Sequence, residues 1–392
     1  RSAIPDRLRG PGRDPLPAAW LKMRIDRIEA SVHAVASKIP LLNQEIEDYR
    51  DGPPRPFVVC RLTTDDGRVG YGFTGRFLAR QVVRALKEDV LPVVRGMSAT
   101  DPEIVQQALL SKLNPRNMTG VVMAAASALD IALWDLKGQA EECSVANLLG
   151  GTGRSVPVYL TFGMPQYDRE ELAEAARQAV GNGYRLLKMV VAVDPGGWQE
   201  DARRIRAVAD AVRNKAEIII DANEGFSEED ARLLAREIAD CPIAWFEEPV
   251  HGNDPATLAR LRKDTGIRTG AGQMEADPRI FQMLLEQGAV DVLQPNVLYC
   301  GGFTRAMQIA RRAEKMSVRI ANGAGWPLIN MHLIAGVANG WLLEHHVAQS
   351  GIEAALFVDR PYPVDGSLTI PEKPGLGLQM NQSGLDATRL ED

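Results

Sequence analysis

Short apolar runs recur through the second half of the chain, and each of them stops at a polar side chain. The run at 218–220 stops at Asp221, and the run at 243–246 stops at Glu247. The segment between them has apolar residues at helical spacing and starts after Ser227, a predicted N-cap. This stretch therefore predicts one β-α-β unit that carries an acid at the end of each strand.

The same sequence of strand, polar strand end and helix repeats along most of the chain. The residues that mark the predicted strand ends are Lys188, Asp221, Glu247, Gln273, Asn296, Asn322 and Glu344. The first five are roughly 23 to 33 residues apart, which suits one strand plus one helix. Because ligands bind at the C-terminal ends of parallel strands, the pattern predicts an α/β fold, a closed β/α barrel with these side chains at one mouth.

The N-terminal part of the chain has a different, α+β pattern. Apolar runs at 57–63 and 69–73 flank a short polar turn and predict a β-hairpin. Helical segments are predicted at 79–94, 102–113 and 121–138. A smaller module thus precedes the barrel.

These patterns predict four parts of the chain. Residues 1–22 are expected to be a disordered extension without a signal peptide, 23–150 the N-terminal module, 151–357 the barrel, and 358–392 a segment that packs back on the N-terminal module. The polar stretch at 40–56 contains several prolines and is a candidate lid loop.

Composition excludes several classes of partner. The net charge of −6 and the lack of a basic stripe argue against nucleic-acid binding, and no apolar stretch has the length needed to cross a membrane. The four cysteines lack metal or redox spacing and indicate reduced thiols. We therefore expect a cytoplasmic protein that acts on a small molecule, and we expect it to form a homo-oligomer.

The acids at the strand ends indicate a metal site. Asp221 and Glu247 supply hard oxygen ligands, which suit Mg²⁺. Gln273 ends the next predicted strand and is the third candidate ligand, with Glu275 as the alternative if the loop turns inward. Asn223 could support the site from the side.

Lys188 is predicted to lie beside this site, one strand earlier. A buried lysine next to a cation is expected to have a lowered pKa and can also hold an anion. The alternative is that Lys188 pairs with Asp221 or Glu247 and that no metal binds.

At this point the sequence resembles the enolase superfamily, in its mandelate racemase and muconate lactonizing enzyme branch. The motifs that carry the resemblance are LLKMV around Lys188, Asp221-Ala222-Asn223, Trp245 to Pro249, Gly270 to Gln273, Gln294-Pro295-Asn296 before Gly301-Gly302, and Trp341 to Glu344. The resemblance implies an α+β capping domain over a modified TIM-type (β/α)7β barrel. It also implies Mg²⁺-assisted removal of a proton next to a carboxylate, with stabilisation of the enediolate that forms.

The departures from the family pattern concern proton transfer. A second basic residue is usual two positions after Lys188, where this chain has Val190. Asn296 replaces an Asp or a Lys, Gly323 stands at the usual His position, and Gln273 replaces a Glu. Glu344, which the family uses to hold the substrate carboxylate, is present, and we include Asn296 and Asn322 among the expected substrate contacts.

The leading hypothesis is therefore a Mg²⁺-dependent lyase that acts on a hydroxylated carboxylate, an acid-sugar dehydratase. Dehydration needs one base and one acid, whereas a racemase or epimerase, the related alternative, needs two bases on opposite faces of the substrate. A third possibility is a barrel that binds metal or carboxylate without catalysis. Lys188 is the expected base. If it only clamps the substrate, another group such as His345 or His346 must take the proton.

Overall fold

The computed structural model describes residues 23–40 and 49–391. The chain starts with a three-stranded antiparallel sheet in the order β1-β2-β3. Its strands are β1 (Ile25–Pro40), β2 (Tyr49–Thr64) and β3 (Val69–Thr74). The hairpin predicted from the alternating pattern is the β2–β3 pair, in which Cys60 lies opposite Gly72.

Helices cover one face of this sheet. They are α1 (Ala79–Ala85), a π-helical segment (Leu86–Val90), α2 (Leu91–Val94), α3 (Pro102–Lys112), α4 (Gly120–Ala140) and α5 (Val145–Leu149). The helix α4 is rich in small residues because β3 packs directly on its backbone. A Cβ atom on Gly72 would lie only 1.7 Å from the carbonyl oxygen of Ala128, so both surfaces must stay small for the sheet and the helix to touch.

The second part of the chain is a closed barrel of eight parallel strands, which confirms the predicted fold class. The strands are β4 (Ser155–Gly163), β5 (Leu186–Val190), β6 (Glu217–Asp221), β7 (Ile243–Glu247), β8 (Thr269–Ala271), β9 (Val292–Leu293), β10 (Arg319–Ala321) and β11 (Gly340–His346). They pair in sequence order, and β11 closes the ring on β4. Strands buried on both faces read as continuous apolar runs, as 218–220 does.

A helix follows each of the first seven barrel strands. These helices are α6 (Arg169–Gly181), α7 (Gly197–Val212), α8 (Glu228–Glu237), α9 (Pro255–Thr265), α10 (Pro278–Glu286), α11 (Gly302–Lys315) and α12 (Pro327–Gly336). Their starts follow the expected capping chemistry. Ser227 accepts a hydrogen bond from the Asp230 amide at the start of α8, and Asp168 forms a capping box with Glu171 on α6. Within the described ranges no helix combines the length and apolar character needed to span a membrane.

The last part of the chain returns to the N-terminal module. Its elements are α13 (Ser350–Leu356), β12 (Phe357–Val358), β13 (Ser367–Thr369), β14 (Gln379–Met380) and α14 (Gln382–Thr388). The strand β13 adds to β4 in the antiparallel direction. The amide of Leu390 donates to the Val32 carbonyl oxygen at 2.9 Å, and Thr388 Oγ1 lies 3.1 Å from His33 Nδ1. The chain end therefore lies against β1.

The predicted lid at 40–56 is partly wrong. Residues 49–56 belong to β2 and pair with β1, with Ala34 opposite Pro56. The sequence suggested a loop because of its prolines. They are tolerated in the strand because β3 pairs with β2 only from Val58 onward, which leaves the earlier part of β2 open on that side. The stretch 41–48 and the predicted extension 1–22 lie outside the described residues.

Candidate functional site

Four barrel strands bring one lysine and three acids together. Lys188 Nζ, from β5, lies 3.1 Å from Asp221 Oδ2 at the end of β6 and 2.7 Å from Glu247 Oε1 at the end of β7. It also lies 2.8 Å from Glu344 Oε1 on β11. All four residues are buried, and none has more than 3% of its surface exposed. The strand-end pattern thus predicted a real convergence of charge.

The charge of Lys188 is fixed by this arrangement. Burial alone lowers the pKa of the ammonium group, but attraction by Glu247, Glu344 and Asp221 outweighs burial and holds the pKa well above its usual value. This raised pKa belongs to the site formed by protein groups alone. The expectation of a lowered pKa applies to a lysine next to a cation and stays a prediction. A lysine with a raised pKa can hold an anion or donate a proton, but it cannot accept one.

The carboxyl groups around Lys188 are crowded. Burial and the neighbouring Asp221 and Glu344 hold the pKa of Glu247 well above its usual value, although Lys188 opposes this shift. Burial also acts to raise the pKa of Glu344, but Lys188 and a hydrogen bond from Thr161 outweigh it, so that the pKa is lowered. Three carboxyl groups share one ammonium, which leaves an excess of negative charge in a buried region.

Gln273 joins this group through its amide. Its Nε2 donates to Glu248 Oε2 at 2.9 Å and lies 3.4 Å from Asp221 Oδ2 and 3.3 Å from Asn223 Oδ1. The structure therefore places Gln273 beside Asp221. Glu275, the alternative, accepts the Asp277 amide instead, just before α10. Glu248 is fully engaged, and burial raises its pKa to about 7.

Left-handed backbone turns hold several strand ends. Non-glycine residues with positive φ follow β5, β6, β7 and β10, namely Ala192, Asn223, Glu224, Glu248, Ala324 and Trp326. Such conformations are strained for residues with a Cβ and persist only where the surroundings enforce them. The turn at Asn223 allows the backbone amide of this residue to donate to Asp221 Oδ1 at 2.9 Å. This hydrogen bond fixes the orientation of the Asp221 carboxylate.

The first barrel strand contributes two residues that were not predicted. Thr161 Oγ1 donates to Glu344 Oε1, and the hydroxyl of Tyr159 donates to the carbonyl oxygen of Asn322. The amide of Gly325 donates to the other oxygen of Glu344. Thr161 interrupts the apolar run of β4, and this was the available signal. Glu344 is thus an acceptor on both oxygens.

The structure places the expected substrate contacts Asn296 and Asn322 in the interior, where both are fully buried and hydrogen-bonded to protein. Asn296 Nδ2 donates to the Gly323 carbonyl oxygen at 2.7 Å, and its Oδ1 accepts from Leu298 and Asn330. Asn322 Oδ1 accepts the Glu344 amide at 2.7 Å and its Nδ2 donates to Gly325 at 2.9 Å. Both asparagines shape the loop after β10. Asn296 uses both amide hydrogens and both acceptor positions on protein groups, whereas the bonds of Asn322 use one of each.

The two histidines at the end of β11 lie in different surroundings. His345 is hydrogen-bonded to the Tyr184 hydroxyl at 2.9 Å and contacts the Tyr362 ring. His346 is half-buried, and its Nδ1 has no hydrogen-bond partner within the described part of the chain. The other three histidines lie away from Lys188 and the acids around it. His332 and His33 are bonded inside the core, and the side chain of His251 is 95% exposed.

The candidate ligands Asp221, Glu247 and Gln273 fit a hard divalent cation, because all three have side-chain oxygen atoms and two of them are acids. No three His, Cys, Asp or Glu side chains in the described ranges are grouped to hold a metal, so an amide oxygen has to complete the set. Gln273 Oε1 accepts the Ala324 amide at 2.9 Å, and its NH₂ group faces the acids. The amide must therefore turn over to offer its oxygen to a cation.

Family models match both parts of the chain. The model described as enolase C-terminal domain-like matches residues 171–384. The model of the mandelate racemase / muconate lactonizing enzyme N-terminal domain matches residues 53–150. Together these two models cover most of the N-terminal module and most of the barrel.

The similar proteins include acid-sugar dehydratases, cycloisomerases and an N-succinyl-L-Arg/Lys racemase of Bacillus cereus. An arabinonate dehydratase of Saccharolobus solfataricus is 27% identical over 334 residues, 83% of this chain and 88% of the relative. A D-galactarolactone cycloisomerase of Agrobacterium fabrum is 29% identical over 357 residues, 86% of this chain and 92% of the relative. Dehydratases of L-rhamnonate, D-xylonate and D-gluconate are also among the relatives.

A solved structure extends the comparison. It is a mandelate racemase/muconate lactonizing enzyme from a marine actinobacterium, in complex with magnesium. It is 27% identical to this chain, with a TM-score of 0.80, and the match covers 94% of this chain and all of that one.

The ion cluster predicts a large, pH-dependent effect of Lys188→Met. Removing one partner leaves buried carboxylates without a cation, so we expect the free energy of unfolding to fall by about 3–5 kcal/mol. The loss of Lys188 also removes the charge that lowers the pKa of Glu247. The folded variant then keeps a proton that the unfolded chain releases, so the loss should be smaller at pH 5 than at pH 8.

Urea unfolding at both pH values measures this effect. Lys315→Met, at the exposed end of α11, is the matched control and should stay within about 0.5 kcal/mol of the wild type. Equal stability of Lys188→Met and the control at pH 8 would contradict the charge arrangement described here.

Proposed function

The chain belongs to the enolase superfamily, in its mandelate racemase and muconate lactonizing enzyme branch, and we propose that it is a Mg²⁺-dependent acid-sugar dehydratase. The observation that carries this proposal is the Lys188 ammonium held by three buried carboxyl groups, with the side-chain amide of Gln273 beside Asp221. A charged group of this kind suits a reaction in which negative charge develops on a substrate carboxylate.

Asp221, Glu247 and Gln273 would hold the Mg²⁺ ion. When bound, Mg²⁺ supplies a Lewis acid that withdraws charge from the substrate carboxylate and so makes the neighbouring C–H bond more acidic. Beside a cation that neutralises the neighbouring acids, the pKa of Lys188 would fall and its Nζ would take the proton from the substrate carbon. The protonated Nζ would then donate that proton, as a general acid, to the departing hydroxyl group, which leaves as water. Glu344, a double acceptor, orients Lys188.

Dehydration suits the site better than racemisation or epimerisation. A racemase exchanges protons on two opposite faces and needs a base on each of them, whereas Val190 and Gly323 stand where the family usually places basic side chains. A hydroxylated carboxylate is the substrate class, in line with the arabinonate, xylonate and gluconate dehydratases among the relatives. The reduced cysteines favour a cytoplasmic enzyme, and a homo-oligomer remains part of the proposal.

One observation favours a second candidate, a barrel that binds carboxylates without catalysis. The NH₂ group of Gln273 already faces Asp221, Asn223 and Glu248, and Lys188 already pairs with the acids. Both groups partly compensate the negative charge that would attract Mg²⁺. This candidate and the dehydratase differ in whether an acid sugar is consumed.

A panel of aldonates and aldarates tests the proposal. With Mg²⁺ we expect turnover of at least one member to a 2-keto-3-deoxy acid, detected as its semicarbazone. EDTA should abolish the activity and added Mg²⁺ should restore it, while Lys188→Met should be inactive. Binding of acid sugars by calorimetry without any turnover would instead support the non-catalytic barrel.

The neutral third ligand predicts weak Mg²⁺ binding that a substitution can improve. Gln273→Glu adds a negative charge and removes the NH₂ group that faces the acids, so Mg²⁺ should bind about tenfold tighter or more. Titration calorimetry measures this change. Gln287→Glu adds the same charge at an exposed position after α10 and should leave Mg²⁺ affinity unchanged. Unchanged or weaker binding in Gln273→Glu would count against Gln273 as a ligand.

A further inference from the structure

The last barrel strand places two consecutive histidines on opposite sides of the sheet. Successive side chains of a strand alternate between its faces. Glu344 faces the barrel mouth, where it meets Lys188 and Thr161. His346, two residues further, is on the same face, whereas His345 points to Tyr184 and Tyr362 outside.

The pairing of β11 with β4 supports this placement. Glu344 lies opposite Tyr159, and His346 lies opposite Thr161. Thr161 donates to Glu344, so the face that carries Thr161 and His346 is the one that carries the ion cluster. The titratable and charged groups that act on the His346 ring are Glu344, Arg55, Lys188 and His345.

His346 Nδ1 also has unused hydrogen-bonding capacity. This atom is buried and has no partner among the residues that the structure describes. Burial first, and then Arg55 and Lys188, lower the pKa of the ring to about 3, against the opposing effect of Glu344. The imidazole is therefore neutral at physiological pH. A buried polar atom without a partner is costly, and a ligand that supplies the partner gains affinity.

We propose that His346 Nδ1 hydrogen-bonds a hydroxyl group of the substrate and so selects hydroxylated carboxylates over unsubstituted ones. The inference rests on the dehydratase function proposed above and assigns the substrate specificity of that function to His346. A neutral imidazole forms such a bond with a hydroxyl group in either tautomer, because a hydroxyl both donates and accepts. A site built around a hydroxyl rejects an analogue that lacks it, since its polar atom is then left unpaired.

Gluconate and hexanoate are the matched probes, because both are six-carbon carboxylates and only gluconate carries hydroxyl groups. Their affinities are measured by calorimetry in the presence of Mg²⁺. The wild type should bind gluconate more tightly than hexanoate. His346→Phe keeps a ring but loses the polar atoms, so gluconate affinity should fall about tenfold while hexanoate affinity stays the same. His346→Gln restores an acceptor and a donor and should recover part of the preference.

The neighbouring histidine provides the control. His345→Phe should lose stability, because the bond to Tyr184 is lost, but should keep the preference for gluconate. In ¹⁵N-histidine-labelled wild type, gluconate should shift the Nδ1 resonance of His346 and leave that of His345 in place, a readout that does not depend on how the variants fold.

Two results would overturn the inference. One is an unchanged gluconate preference in His346→Phe, and the other is a wild type that does not prefer gluconate over hexanoate. Failure of the proposed function has a different signature, since acid sugars would then bind with the His346-dependent preference but would not be consumed in the turnover assay.

Discussion

The site depends on a single buried ammonium group. Lys188 contacts acids from three other strands of the barrel, and its charge is what makes their burial tolerable. A buried ion pair seldom makes a protein more stable than apolar packing would. Removing one partner is strongly destabilising, because the remaining buried charge is not solvated by water. The cluster therefore fixes where the strand ends must lie.

Other residues at the mouth of the barrel hold the side chains of this cluster in position. Thr161 and the Gly325 amide bind the oxygens of Glu344, and Asn322 holds the backbone of Glu344. Asn296 ties down the loop after β10. Strained left-handed turns at Asn223 and Glu248 follow the strands that carry the other acids. A site whose groups are held in advance loses little free energy to reorganisation when charge develops on a substrate.

The sequence predicted the barrel and the convergence at its mouth because both follow from local patterns. The apolar runs that stop at Asp221 and Glu247 are two neighbouring parallel strands. The carboxyl ends of such strands lie at the same mouth of the barrel. The sequence did not predict which polar atoms would remain available. Asn296 and Asn322 look the same as ligands in sequence, yet three-dimensional packing gives their amides to backbone groups. The pKa of Lys188 depends on all the acids around it, and one of them, Glu344, is distant in sequence.

The state of Lys188 is measured most directly by NMR of selectively labelled lysine. The signal of its side-chain ¹³Cε, assigned by its loss in Lys188→Met, reports whether the amine is charged. With three carboxyl groups holding the proton, the account predicts that this signal does not titrate between pH 6 and about 9 in the metal-free protein. A titration centred near pH 7 would show a lysine able to accept a proton and would contradict the account.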